Sequence, residues 1–416
     1  MTRMTAGDSE TSFVVNLVAL VLSIGVTVGC HFLGLTPFAL FMVLLASLLV
    51  FTVVLETICF PKTCPLRNWK VLRPLSLKRV LFREAALFVT FGAIALAYWL
   101  FPVYSTKEVV RWYFPFLRYF VPFLLVLSVP YFCVMDRIDP EEEDAMCRIG
   151  RAILTFRPTV TRFELANYVR SWIVKAFWLA LMQPAMIDKI RLFVAYRWHE
   201  FADNALGLYA MANTIVYGID LCYASAGYAL NFKLFGTHTR TAEPTLSGWL
   251  AAIICYAPFW GALVVPYYLA KTTGEPWRTL FPEASGMWWT WAAAIVLCEL
   301  VYSLATVAAG IRFSNLTWRG LWKTGPYRFT KHPAYVFKNL SYWLISAPFL
   351  TQSGPMAVKM SLVLLCTNLV YYWRAKTEER HLSRYPEYVA YALEMNDKSI
   401  FRWCAKFLPF LRYNLI

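Results

Sequence analysis

Charge is scarce in this chain of 416 residues: Asp, Glu, Lys and Arg make up 16% of it, against about a quarter in a soluble domain. Acid is scarcer than base, with 25 Asp and Glu beside 40 Lys and Arg. No Gly/Ser-rich linker separates soluble domains, and no internal repeat is evident. Cys59 and Cys64 are spaced to clip a metal, but no histidine pair or second cysteine pair lies near them in sequence. A tetrahedral donor set is therefore missing, and no metal site is expected. The first residues form a polar head with Asp8 and Glu10, more acidic than the start of a cleavable secretory signal, so an uncleaved first span is expected.

What fills the chain instead is apolar, at 59% hydrophobic and 17% aromatic residues. Runs near 12–34, 37–58, 83–103, 113–135, 170–186, 205–231, 247–270, 287–311, 334–351 and 357–373 approach or exceed the length that crosses a bilayer as helix. The expected fold is all-α, a polytopic integral membrane protein with about ten transmembrane helices. The fifth run is the weakest, being short and interrupted by Gln183 and Pro184. Cys30, Cys133, Cys222, Cys255, Cys298 and Cys366 lie inside apolar runs and read as packing residues.

The net charge of +15 points to cytoplasmic loops rather than to nucleic acid. Residues 60–83 carry Lys62, Arg67, Lys70, Arg73, Lys78, Arg79 and Arg83 without an acid, and 312–333 likewise carries only bases. The positive-inside rule puts both segments, the loops 136–169 and 232–246, and both termini in the cytoplasm. With no eukaryotic sorting signal, the expected location is a bacterial inner membrane. Trp112-Tyr113-Phe114, Trp288-Trp289 and Tyr371-Tyr372-Trp373 read as interfacial anchors, and Asp139 to Asp144 as a solvated acidic helix start. Asn315-Leu316-Thr317 and Asn339-Leu340-Ser341 match glycosylation sequons, but one falls in a cytoplasmic loop and the other in a span.

Chemistry concentrates late in the chain. In Gly325-Pro326-Tyr327-Arg328-Phe329-Thr330-Lys331-His332-Pro333-Ala334-Tyr335, Gly-Pro forces a turn and Pro333 suits the first turn of a helix. That helix start presents His332, Tyr335 and free N–H groups to an anion. After the next hairpin come Arg374, Lys376, Glu378, Glu379 and His381, then Tyr385-Pro386-Glu387-Tyr388 and Tyr391. Arg374 and Glu378 share a helix face at a spacing of four. Taken singly these are topology determinants and anchors; taken together, on neighbouring spans joined by a short turn, they converge at the membrane surface. Asp220 and Glu299, inside apolar spans, are either a hydrogen-bonded structural pair or part of a substrate pocket. The polar loop with His238 and Arg240 is a candidate acceptor-binding lid.

These two late segments resemble the C-terminal signature of the isoprenylcysteine carboxyl methyltransferase family and its wider group, which includes phospholipid N-methyltransferases. The likeness covers about 310–405 through Gly325, Tyr327, Lys331-His332-Pro333-Ala334-Tyr335, Glu378-Glu379, Tyr388 and Tyr391. Lys331 replaces the family's Arg, and Val336-Phe337 replaces a small residue. The resemblance implies S-adenosylmethionine contacted by Tyr327, His332, Pro333 and Tyr335, with Glu378 or Glu379 on its ribose or amino group. Arg374 or Lys376 would steer the acceptor, and His332 or Glu379 would serve as base for an amine or hydroxyl. Expected partners are the lipid bilayer and a lipophilic or lipid-linked substrate. The implied organisation is a transmembrane region over 1–200, an acceptor-side region over 201–286 and a methyltransferase-like module over 287–416. Two other functions fit the pattern: an NADPH-dependent membrane reductase of the sterol reductase type, and a transporter or scaffold with a vestigial motif.

Overall fold

Apolar runs with no water to satisfy their backbone must close every N–H and C=O internally, and in a bilayer a helix does so. The computed structural model describes residues 9–59, 72–101, 109–195, 204–256, 259–260, 276–350 and 354–414. It is 78% helix, with thirteen α-helices among the described residues. They are α1 (Phe13–Phe32), α2 (Pro37–Cys59), α3 (Leu77–Leu100), α4 (Phe114–Ile138), α5 (Ala145–Thr155), α6 (Arg162–Ala195) and α7 (Ala205–Ala229). After them come α8 (Leu246–Ile253), α9 (Gly286–Ala309), α10 (Pro333–Ser346), α11 (Gly354–Leu382), α12 (Pro386–Lys398) and α13 (Cys404–Phe407). Seven helical segments among the described residues are long and apolar enough to cross a membrane: α1, α2, α3, α4 with the turn before it, α7, α9 and α11. The chain is an all-α membrane protein.

A helix stands at each of the ten expected spans, but three differ in kind. The fifth is one continuous helix, α6, about 51 Å long at 1.5 Å per residue. Pro184 lies inside it, and Gln183 beside that proline is fully buried, donating to the Trp112 carbonyl at 3.3 Å. The seventh is described as α8, and most of its remainder, 261–270, lies outside the described residues, as do Cys64 and residues 60–71 of the basic loop. The ninth is only the 14-residue α10. It stops at Ala347, which takes a left-handed φ of 37° before Pro348; the residue preceding a proline is driven out of the α region.

The largest apolar cluster draws on Leu20 of α1, Leu48 of α2, Trp178 of α6, Tyr223 of α7, Ala252 of α8 and Val307 of α9, so early and late helices share one core. Tyr113, Trp288 and Tyr371 are buried in the interior rather than anchoring an interface. The outer surface is apolar, as at Val126 (73% exposed) and Trp99 (80% exposed). The acidic stretch is ion-paired rather than simply solvated: Asp139 meets Lys233 at 2.5 Å, and Asp144 meets Arg83 at 3.1 Å while capping α5.

Loops expected on one side of the membrane meet at one end of the bundle. β1 (Thr241–Ala242) pairs antiparallel with β2 (Thr317–Trp318), in register Thr241 with Trp318 and Ala242 with Thr317. Asn167 of α6 receives the Ala242 amide at 2.8 Å, and the Glu10 amide donates to the Leu321 carbonyl at 2.7 Å. Gly320 and Gly325 both need positive φ, and a Cβ on Gly325 would lie 2.6 Å from the Phe13 ring. That contact seats the turn before α10 on the start of α1.

Candidate functional site

The 3-10 turn Gly325–Arg328, the start of α10, the end of α11 and α12 line a pocket of about 70 Å³ that opens to solvent. Its wall includes Tyr327, His332, Tyr335, Arg374, Glu378 and Tyr388. His332 occupies the N-cap of α10 without a side-chain cap bond, and Pro333 follows in the first turn. The His332 and Tyr335 rings stack at 5.4 Å with 8° between planes.

The two late segments are tied by hydrogen bonds. Tyr335 donates to Glu378 Oε2 at 2.6 Å, and His332 Nε2 lies 3.2 Å from Glu379 Oε1. The adjacent acids have different surroundings. Glu378 faces the pocket, whereas Glu379 is buried beneath it among Lys331 at 2.7 Å, Lys376 at 2.8 Å and His332. Lys376 is also turned to the Arg412 carbonyl at 2.9 Å and is not part of the wall. Burial pulls the Lys331 ammonium below its usual range, with Glu379 opposing.

Arg374 is fixed from three sides. Its Nη2 donates to Asn315 Oδ1 at 2.5 Å, and its guanidinium lies 5.0 Å over the Tyr335 ring and 5.4 Å over Tyr256. Asn315 in turn donates to the hydroxyls of Tyr228 and Tyr256, at 2.8 and 2.9 Å. A guanidinium carries five N–H donors, and the Asn315 bond uses one.

Aromatic surface lines the remainder. Trp318, Tyr327, Tyr388 and Tyr391 belong to the wall, and Tyr391 is held by donating to the Tyr327 carbonyl at 2.7 Å. Tyr388 is buried, and its hydroxyl has no hydrogen-bond partner among the described residues. Burial first, and the nearby Glu379 and Glu378 charges second, hold its phenol well above the usual range. A buried donor left without a partner costs about 1–3 kcal/mol, and a bound polar ligand would remove that cost.

The remaining candidate residues lie elsewhere. Asp220 of α7 accepts from Tyr302 at 2.6 Å and Thr306 at 2.5 Å, and Glu299 accepts from Tyr217 at 3.0 Å. Both sit at the α7–α9 contact and neither lines the pocket. Arg240 pairs with Glu10 at 2.8 Å. His238 is half-buried in the same loop; burial, then the Lys233, Arg240, Arg319 and Lys175 charges, lowers its imidazole to about 4. The loop reaches the pocket instead through Glu243, which lies on its wall, 3.6 Å from His381 Nδ1. Sequence reasoning gave no site role to Asn315, Trp318 or Tyr256, and carried Glu243 only as part of the polar loop 237–245. Asn315 carried a signal that was read only as a sequon.

A second, apolar cleft of about 750 Å³ adjoins the first, its wall including Phe13, Leu304, Pro326, Arg328 and Phe337. The two share the Gly325–Arg328 turn, whose Tyr327 faces one and Arg328 the other. Comparison with protein-family models, curated proteins and solved structures finds no match for this chain.

Proposed function

We propose that this chain is a membrane-embedded methyltransferase using S-adenosylmethionine, of the kind its late segments resemble, acting on a lipophilic or lipid-linked acceptor. The observation that carries the reading is the convergence of His332, Tyr335, Arg374 and Glu378 on one pocket, with Tyr335 bonded to Glu378 across the two segments. The donor set suits this cofactor. A carboxylate, Glu378, faces the space where vicinal hydroxyls or an amino group can bind, flat aromatic faces are available for a base, and Tyr388 offers an unpartnered hydroxyl.

When bound, the cofactor supplies a methyl whose bond to sulfur breaks, the electron pair leaving with sulfur, as an acceptor atom bonds the carbon. Such a displacement depends mainly on the reacting atoms being close and in line with water excluded. Glu378 positions the cofactor through its polar groups, and Tyr335 orients Glu378. Arg374, locked between two tyrosine rings, holds an acceptor carboxylate, which is already nucleophilic. For an amine or hydroxyl acceptor, His332 is the base in reach of the pocket. Glu379 fixes Lys331 and His332 in place. The apolar cleft beside the site gives a lipid tail its path from the bilayer.

The same reading takes all ten helices as spanning or entering the membrane, with both termini and the pocket in the cytoplasm, where the cofactor is made. Support comes from the basic loops and from the meeting of those loops at one end of the bundle. Titration calorimetry of S-adenosylhomocysteine into the detergent-purified protein tests it. Micromolar binding is expected, lost at least tenfold in His332→Ala and Glu378→Ala. Binding of NADPH in its place would make the chain a reductase, and silence from both would leave a transporter or scaffold.

A further inference from the structure

After α12 the chain returns through α13 and a short turn to Tyr413, and this return segment carries its apolar side chains on the outside. Ile400 is 52% exposed, Trp403 60%, Phe407 84% and Phe410 53%. No Asp or Glu follows Asp397, whereas Lys398, Arg402, Lys406 and Arg412 do. The Arg402 guanidinium and the Lys406 ammonium lie 5.4 and 4.3 Å from the centre of the Trp403 ring. The nearest acids in sequence are engaged elsewhere: Glu394 with Lys398 at 2.6 Å, and Asp397 with Arg412 at 3.4 Å. Among the described residues neither Arg402 nor Lys406 meets a carboxylate. An exposed aromatic patch with unspent cations marks a contact surface.

Both ends of the segment are fixed where helices meet the apolar layer. The Ile400 amide donates to the Phe329 carbonyl at 3.0 Å, in the turn just ahead of α10. Tyr372 lies in the last turn of the apolar run of α11. Its hydroxyl donates to the Phe410 carbonyl at 3.1 Å, and the two rings stand 5.6 Å apart at 90°. Phe410 is therefore at the level where α11 leaves the bilayer. Aromatic and basic side chains together at that depth suit a headgroup region, with rings in the acyl boundary and cations on phosphate.

We propose that residues 400–412 are a docking surface for anionic phospholipid, with Arg402 and Lys406 on the phosphate and Trp403, Phe407 and Phe410 among the upper acyl carbons. The placement rests on the membrane reading of α10 and α11 given above, not on the chemistry of the pocket. The surface is also joined to the pocket from behind. The Arg412 carbonyl accepts from Lys376, which holds Glu379. Tyr413, next along, is buried, with Lys331 5.4 Å over its ring and the Tyr388 ring 6.1 Å away. Lys331 and Tyr388 both belong to the pocket wall. A lipid that steadies the segment steadies that wall, and by linkage binding at either place favours the other.

Hydrogen–deuterium exchange on the full chain in nanodiscs tests the surface peptide by peptide. Discs of phosphatidylcholine alone are compared with discs that also hold phosphatidylglycerol. Amides of 401–412 are expected to exchange at least about threefold more slowly with phosphatidylglycerol present. Arg402→Gln combined with Lys406→Gln should abolish that protection, and Lys398→Gln, on α12, should keep it. Equal exchange in the two discs, or protection surviving in the double variant, would overturn the proposal. So would the same protection from inorganic phosphate added to phosphatidylcholine discs, which would make the site one for a free anion. S-adenosylhomocysteine titrated into the same discs reads the link to the pocket. Its affinity should rise about threefold with phosphatidylglycerol in the wild type and not in the double variant; equal affinity in both discs would overturn the link. Its failure to bind in either disc would instead remove the methyltransferase reading and leave the lipid surface standing.

Discussion

Glu379 sits where Lys331, His332 and Lys376 meet, its side chain 3% exposed. A buried carboxylate among cations contributes little net stability as a pair, yet removing it strands the charges it balanced. Glu379→Ala is therefore expected to cost about 3–5 kcal/mol, read as a drop in melting temperature in detergent. Glu379→Gln keeps the shape and loses the charge, so it should fall between that variant and the wild type. Glu378, one residue earlier, faces the pocket and bonds Tyr335. Glu378→Gln should spare the melting temperature and weaken the cofactor analogue. Two adjacent acids thus divide support from binding. Sequence alone left that division open, because it depends on how the α11 face turns toward α10.

At the scale of elements, the turn before α10 is where chain geometry meets chemistry. Gly325 has φ of 60° and its Cβ position is occupied by the Phe13 ring. Gly325→Ala should cost about 1–3 kcal/mol and weaken the cofactor analogue by moving Tyr327. Adding Phe13→Ala relieves the clash but not the strained φ, so the double variant should recover part of the loss; no recovery would show that Phe13 is not the obstacle. Helix positions were largely legible because long apolar runs have few alternatives in a bilayer. Helix ends were not. α11 continues to Leu382, past the end of its apolar run at 373 and through the helix face expected for Arg374 and Glu378, since a helix that leaves the membrane keeps its hydrogen bonds while losing its hydropathy. The candidate site was legible where motif residues share a turn, as with His332 and Tyr335. It was hidden where contacts cross from distant loops, as with Asn315 beneath Arg374 and Glu243 beside His381.

At the scale of the whole molecule, the proposed orientation rests on the basic loops. In a bacterial expression host, a C-terminal green fluorescent protein fusion should fluoresce, and alkaline phosphatase inserted at 102–108 should be active. The reverse pattern would invert the topology and move the pocket away from the cofactor supply. The two-residue pairing of Thr241–Ala242 with Thr317–Trp318 also sets a timetable for biogenesis. Trp318 is made 77 residues after Thr241 (318 − 241), a wait of about 4–15 s at ordinary synthesis rates. Arg374 and Glu378 emerge later again. Through that interval the membrane holds a nascent protein with its early helices inserted and its polar loop unmated. The ribosome therefore delivers the clasp and the chemistry last, and a chain released early carries neither.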